Sequence, residues 1–213
     1  MKRIILAATL IVLLGMVSSP LLAVDMSANI GYNSQYIYRG IPQKNSSAFG
    51  GFDIGGAGFY GGVWSADVGD GIEIDYYGGY GFDVGDFNFG VGGTFYTYTG
   101  DFDDTYREIN LSAGWKWFSF DAAIGNYDNF GGPKLDYQFY AITAEYKGFY
   151  GKFGWFADDF DGSYVEGGYG NTLTIQDTDL FDYAFAVIYS DSTLLGGESD
   201  TNLVFTVSKT FDF

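Results

Sequence analysis

The sequence contains no cysteine and no histidine, and it has only three prolines. Without cysteine the chain can form no disulfide and has no thiol nucleophile. Without histidine, Ser-His and Cys-His catalytic pairs, imidazole acid–base chemistry and most zinc or transition-metal sites are excluded. We therefore expect no catalytic residue, no metal site and no cofactor, and we predict that the protein is not an enzyme.

Positive charge is scarce as well. Ten Lys and Arg residues against 27 Asp and Glu residues give a formal net charge of −17 at pH 7. A chain this acidic binds nucleic acid poorly, because the phosphates repel it. It suits cations instead, either as transported solutes or as bridges to the phosphates of an outer lipid leaflet. We expect no nucleic-acid partner.

Long apolar runs are confined to the N-terminus. Lys2 and Arg3 precede an apolar run, Ile4 to Met16, which small residues follow. A basic start, a short apolar segment and small residues at its end are typical of a secretory signal peptide. The run is too short for a comfortable membrane helix of about 20 residues. We predict a cleaved signal peptide over 1–23 and one exported domain over 24–213.

Glycine and aromatic residues are abundant, with 33 glycines and 21% aromatics. They are interleaved in short alternating segments, which is typical of a transmembrane strand meander. A glycine-rich disordered tract would lack this much periodic Phe, Ile and Val. The last segment shows the alternation, with Leu203, Phe205 and Val207 on one face of an extended strand and Thr206 and Ser208 on the other.

Two aromatic residues, Phe211 and Phe213, continue the apolar face to the end of the sequence. An edge strand of a β-sandwich would explain the alternation alone. A final aromatic on the apolar face resembles the last strand of bacterial outer-membrane barrels, which the barrel-assembly machinery recognises. We expect Phe211 and Phe213 to act as the assembly signal and that machinery to be a partner.

Twelve alternating segments are found in the exported domain. Short turns follow every second segment, and longer, mostly acidic loops follow the others, as in outer-membrane barrels. Closure avoids unpaired backbone groups in lipid. We predict an all-β fold, a single closed antiparallel transmembrane β-barrel of about 12 strands in an up-and-down meander, in the cell outer membrane. The predicted strands are Ser27–Arg39, Ala48–Ile54, Phe59–Ala66, Ile72–Phe82, Phe87–Tyr98, Tyr106–Trp115, Phe118–Ile124, Asp136–Tyr146, Phe149–Phe156, Ser163–Ile175, Leu180–Ser190 and Asn202–Phe213.

The first hairpin carries specific expectations. Tyr36 and Tyr38 fall on the apolar, lipid-facing side of the first strand, whereas Arg39 falls on the inner side. Residues 40–47 are polar and contain a proline, so we predict a loop there. The period of the third strand is ambiguous, and the ends of the third and tenth strands are left open.

Charged residues of the predicted strands fall mostly in the inward phase, because a charge facing lipid at mid-depth is strongly disfavoured. Carboxylates greatly outnumber cations among them. They form either a cation-favouring lumen or an ionic network that fills a narrow interior. The predicted lumen-lining residues are Arg39, Asp53, Glu73, Asp75, Glu108, Asp121, Glu145, Lys152, Glu166 and Asp182.

The stretch SANIGYNSQYIYRGIPQ (27–43), followed by FGGFDI (49–54), GFYGGVW (58–64) and EIDYYGGYG (73–81), resembles the TorF-type family of predicted proteobacterial porins, also catalogued as a domain of unknown function. The similarity runs over the whole exported domain. It implies an outer-membrane barrel of about this size and implies little about the substrate.

Three functions are compatible with these patterns. The first is a small porin for passive diffusion of small solutes with a preference for cations, surrounded by outer-membrane lipid and lipopolysaccharide. The second is a non-conducting structural or binding barrel that presents acidic extracellular loops. The third is a barrel enzyme, which would have to use carboxylates alone. The acidic loops DFDDT (101–105) and ADDFDG (157–162) offer oxygen ligands to calcium but lack the spacing of an EF-hand.

Overall fold

The computed structural model describes residues 24–213, which form one closed antiparallel barrel of twelve strands. Each strand pairs with its neighbours in sequence, and the first pairs with the last, so the predicted fold class and the up-and-down topology are confirmed. The predicted signal peptide lies outside the described residues. The strands are β1 (Asp25–Tyr38), β2 (Ile41–Gly56), β3 (Phe59–Gly69), β4 (Gly71–Val84), β5 (Phe87–Thr99), β6 (Tyr106–Trp115), β7 (Phe118–Tyr127), β8 (Leu135–Tyr146), β9 (Phe149–Asp158), β10 (Ser163–Ile175), β11 (Thr178–Ser190) and β12 (Asp200–Asp212).

Between residues 24 and 213, no helix is long and apolar enough to cross a membrane. The one helical element is a short 3₁₀ turn, Asn129–Gly131, in the connection between β7 and β8. All other regular structure is strand.

The predicted loop over residues 40–47 is wrong, because this segment belongs to β2. Tyr38 pairs with Ile41, and only Arg39 and Gly40 form the turn. Both have positive φ, 48° and 80°, which is the geometry of a two-residue hairpin turn of type I′. The polar residues of the segment suggested a loop, but their backbone groups are paired along the hairpin.

The two ends of the barrel differ in their connections. At one end, here the turn end, every connection is a two-residue turn: Ala57-Gly58, Gly85-Asp86, Lys116-Trp117, Lys147-Gly148 and Gln176-Asp177. At the other, the loop end, four connections are longer: 100–105, 128–134, 159–162 and 191–199. The two remaining connections at the loop end are short, namely Arg39-Gly40 and the single residue Asp70.

The outer face of the barrel is an apolar surface. Large side chains that alternate outward along every strand are exposed, as those of a barrel in lipid must be. Aromatic rings form a chain on this face near the turn end, including Phe59 against Tyr80, with ring centroids 4.8 Å apart, and Phe82 against Phe89 at 5.5 Å. Such a girdle is typical of the interfacial region of a membrane barrel.

Phe211 and Phe213 lie on this outer face near the turn end, and both are exposed. The backbone N–H of Phe213 donates to the carbonyl of Met26 at 3.0 Å, which extends the contact between β12 and β1 by one residue. Their expected role in assembly stays a prediction.

The inner face combines aromatic rings with glycines of the neighbouring strands. A Cβ built on Gly154 would collide with the ring of Tyr164, and one built on Gly168 would collide with the ring of Tyr150. The rings therefore lie flat against the wall over positions that have no side chain. This arrangement leaves the axis of the barrel free for another segment.

Replacing Gly154 by Ala should destabilise the barrel by about 1–3 kcal/mol, because the ring of Tyr164 is almost fully buried and cannot move aside. Gly151, on the same strand but facing outward, has no atom within 4 Å of its hypothetical Cβ, so Gly151→Ala is the matched control. Urea unfolding of the refolded barrel in detergent measures both. Equal midpoints for the two variants would contradict the packing described here.

Candidate functional site

The hairpin between β1 and β2 extends beyond the wall of the barrel. Pairing between β1 and β12 stops at Asn33, and pairing between β2 and β3 begins at Phe49. Residues 34–46 therefore pair only with one another, and Ser47 pairs with Asn33 at the base of the segment. The register shift between Tyr36 and Ile37 and the positive φ of Ser46 (62°) mark irregular backbone within this segment. We call residues 34–47 the inner hairpin.

The inner hairpin crosses the lumen at the loop end. At its tip, Arg39 forms an ion pair with Glu108 of β6. The hydroxyl of Ser190, on β11, donates to the carbonyl oxygen of Gly40 at 2.6 Å. β11 is separated from β1 only by β12, but β6 is four strands away from β2, so the tip reaches β6 only through the interior.

One face of the inner hairpin is apolar. Ile37 and Ile41 pack against a buried cluster on the inner side of β7 to β12, and Leu194 of the last loop joins them. The alternation of the sequence does not predict this cluster. Where an inward-facing residue is apolar, both faces of the strand are apolar, as in FAVIY (185–189), and the inner residues cannot be told from the outer ones. Its buried members are Ala123, Tyr137, Phe139, Ala141, Phe156, Tyr164, Ala186, Ile188 and Val204.

The other face of the inner hairpin carries tyrosines that bind polar groups of β4 and β5. The hydroxyl of Tyr36 donates to Glu73 at 2.5 Å, and the hydroxyls of Tyr38 and Tyr96 are hydrogen-bonded at 2.6 Å. The prediction that Tyr36 and Tyr38 face lipid is wrong, because the chain leaves the wall before it reaches them. Tyr36 is buried inside the barrel.

Glu108 is the centre of the polar contacts. Its carboxylate accepts two hydrogen bonds from the Arg39 guanidinium, one of them at 2.9 Å. It accepts three more from the hydroxyls of Tyr96 (3.0 Å) and Tyr137 (2.8 Å) and from the amide of Asn110 (2.9 Å). Its side chain has no exposed surface, so these five donors replace the water that it loses. The guanidinium also lies over the ring of Phe139, 4.2 Å from its centroid.

The structure places the ten predicted lumen residues in three settings. Arg39 lies at the tip of the inner hairpin rather than on the wall. The other nine alternate with outward-facing apolar residues on their strands, and whether they line a conducting path stays a prediction. Those that are buried are Glu73, Asp75, Glu108, Lys152 and Glu166, and those that are partly exposed are Asp53, Asp121, Glu145 and Asp182.

A cavity of about 100 Å³ lies on the turn side of Arg39. Tyr60, Tyr77 and Asn110 contribute to its lining, together with Asp121 and Lys152. Solvent reaches the inner face beyond it, since Asp83 and Asn88 near the turn end are exposed. The lumen is thus a polar vestibule that opens toward the turns and ends at the inner hairpin.

The acidic loops use their carboxylates in local contacts. Asp103 accepts hydrogen bonds from the hydroxyls of Tyr106 and Tyr127, at 2.9 and 2.7 Å. Arg107 and Lys134 hold the pKa of Asp128 at about 2 through ion pairs of 2.8 and 2.7 Å. Within residues 24–213, no three acidic side chains are grouped as a metal site would require.

Replacing Arg39 should destabilise the barrel by about 3–5 kcal/mol, because it leaves the buried Glu108 carboxylate without its counter-ion. Asn suits this position, since it tolerates positive φ. The double variant R39N/E108Q should recover part of the loss. Arg107 and Asp128 form a partly exposed ion pair at the loop end, so R107N is the control and should cost about 1 kcal/mol or less.

Urea unfolding followed by tryptophan fluorescence measures five proteins: the wild type, R39N, E108Q, R39N/E108Q and R107N. The coupling between positions 39 and 108 comes from comparing the double variant with the two single variants. If R39N cost no more than R107N, the ion pair at the tip would not hold the inner hairpin in place.

The comparisons with known proteins identify the fold and the family. A solved structure reported under "Unveiling the Mechanism Behind the in-meso Crystallization of Membrane Proteins" is similar with a TM-score of 0.59 and 10% identity, over 89% of this chain and 84% of that one. The outer membrane protein OprD from Pseudomonas aeruginosa aligns with a TM-score of 0.42 and 13% identity, over 92% of this chain and 67% of that one. OccK1 (OpdK) from the same organism aligns with a TM-score of 0.40 and 14% identity, over 82% and 59%.

No curated protein matches the sequence. The model of a bacterial family matches residues 18–183, which is most of the chain. The description of this family does not carry the TorF-type name, which stays a resemblance. The protein belongs to this family, Gcw_chp, which is described as bacterial proteins of unknown function.

Proposed function

We propose that the protein is an outer-membrane channel of the porin type, through which small solutes diffuse passively past a constriction formed by the inner hairpin. The apolar outer face and the closed sheet suit a bilayer, because every strand has a hydrogen-bonded neighbour on both sides. The observation that carries the proposal is the polar vestibule, which opens at the turn end and runs to Arg39. A barrel with a purely structural role would not need a charged, solvent-reached interior.

The constriction is a separable segment. Residues 36–44 contribute no backbone pairing to the wall, so removing them leaves the other strand pairs intact. The side chains that hold the hairpin, Glu73 and Glu108 among them, would then face a wider lumen in which water solvates them. The hairpin therefore limits the passage without being needed for closure.

A second function is favoured by one specific observation. The inner hairpin contacts β4, β5, β6, β11 and the apolar cluster of β7 to β12, so it spans the mouth at the loop end. A barrel closed in this way would be a non-conducting scaffold that presents its acidic loops at the loop end. Conductance measurements separate the two functions.

Deleting residues 36–44 and joining Gln35 to Asn45 through an Asn-Gly turn should increase single-channel conductance several-fold. Gln35 and Asn45 are a register pair, and Asn-Gly closes such a pair in a two-residue turn. Deletion of the exposed residues Glu198 and Ser199 from the last loop is the control and should leave conductance unchanged. The measurement is made on refolded protein in a planar bilayer. A silent wild type with a conducting deletion would favour the scaffold, and silence of both proteins would overturn the channel.

The preference for cations also belongs to this proposal. The inner faces near the turn end carry Asp53, Glu145 and Asp182, which give the vestibule a negative potential that is strongest at low salt. A potassium chloride gradient should give a reversal potential of cation-selective sign, and D53N/E145Q/D182N should move it toward zero. Glu73 and Glu108 are poor probes of this effect, since their replacement would also loosen the inner hairpin. A reversal potential that the triple variant leaves unchanged would contradict the preference.

A further inference from the structure

We propose that the cavity of about 100 Å³ on the turn side of Arg39, which we call the cavity below Arg39, binds a small α-amino acid as a zwitterion. This inference names a class of solute for the proposed channel. Its biological role rests on the proposed channel function, but the binding itself does not, since binding does not require conduction.

Lys152 on β9 is the first group that points to a ligand. It is only 6% exposed and borders the cavity of about 100 Å³. The ion pairs formed among residues 24–213 do not include it. Glu166 lies opposite Lys152 in register but accepts a hydrogen bond from Tyr150 at 2.5 Å and lies beyond ion-pair distance. Glu166 and Asp121 attract the ammonium from beyond ion-pair distance, and a direct polar partner in the cavity would stabilise it further.

A second charged residue shares the cavity with this ammonium. Asp121 of β7 borders the same cavity and forms no ion pair with any residue from 24 to 213. Thr143 is in register with Lys152, and Asp121 is in register with Ala141, two residues away on the same face of β8. The small side chain of Ala141 leaves room between the two charges.

A zwitterion fits these two groups better than a simple ion does. A carboxylate can accept hydrogen bonds from Lys152 while an ammonium on the same molecule donates to Asp121. An anion would satisfy Lys152 but add negative charge beside Asp121, and a cation would add positive charge beside Lys152. An α-amino acid satisfies both residues without changing the net charge of the interior.

The size of the cavity limits the side chain of the ligand. A cavity of about 150 Å³ holds a benzene molecule. The cavity below Arg39, at about 100 Å³, therefore suits glycine or alanine and leaves no room for a large side chain. The rings of Tyr60 and Tyr77 form part of its walls.

Titration calorimetry of the folded barrel in detergent tests the proposal. Wild-type protein should bind glycine and L-alanine, and it should bind acetate and methylammonium at least about tenfold more weakly, since each makes only half of the contacts. This series needs no variant, so it does not depend on the folding of altered proteins. Acetate or methylammonium binding as tightly as glycine would overturn the zwitterion, and absence of binding by all four would show that the cavity holds water only.

Variants then locate the site. K152M and D121N should each weaken glycine binding at least about tenfold. E145Q is the matched control, because Glu145 is an inward carboxylate of β8 that does not border the cavity, and it should leave binding unchanged. Binding that survives both K152M and D121N would place the ligand elsewhere and overturn the assignment. Glycine binding by a barrel that is silent in the bilayer would reject the channel but keep the site.

Discussion

The interior of this barrel depends on supplying hydrogen bonds and a counter-ion to one buried carboxylate, that of Glu108. Glu108 has no contact with solvent, and an isolated ionised carboxylate in such a place would be strongly disfavoured. Three of its five hydrogen bonds come from the wall, but its counter-ion comes from Arg39, which belongs to a segment that enters from the opposite side. The position of the inner hairpin is therefore specified by charge, and its burial follows from that contact.

Hydrophobic packing complements this ionic contact. The inner hairpin places Ile37 and Ile41 on the apolar cluster and its tyrosines on the polar groups of β4 and β5. A segment with two different faces can be buried inside a barrel only if the wall offers two matching sectors. The wall offers an apolar sector on β7 to β12, where rings such as that of Tyr164 lie over inner glycines, and a polar sector that includes Glu73 of β4 and Tyr96 of β5.

The barrel could be predicted from the sequence because apolar and polar residues alternate along each strand, and because a sheet in lipid must close to pair its backbone groups. The bounds of β6 and β10 agree with the predicted segments, and the two-residue turns fall where glycine and polar residues interrupt the alternation. The inner hairpin could not be predicted in the same way. Alternation shows which side chains share a face, but it carries no sign of where a strand leaves the sheet. Tyr36 and Tyr38 keep their phase along β1 and still face the interior, because the whole segment has left the wall.

The inner hairpin also changes what holds the barrel closed. The seam between β1 and β12 has its own backbone ladder, from Ser27 to Asn33 on the first strand. The hairpin adds a second connection across this seam, because Gln35 donates to Asn202 at 3.1 Å and Gly40 accepts from Ser190. Parting the first and last strands thus requires both the loss of the ladder and the withdrawal of the hairpin from the far wall. The segment that narrows the lumen is also an internal brace across the line where a closed sheet would otherwise open.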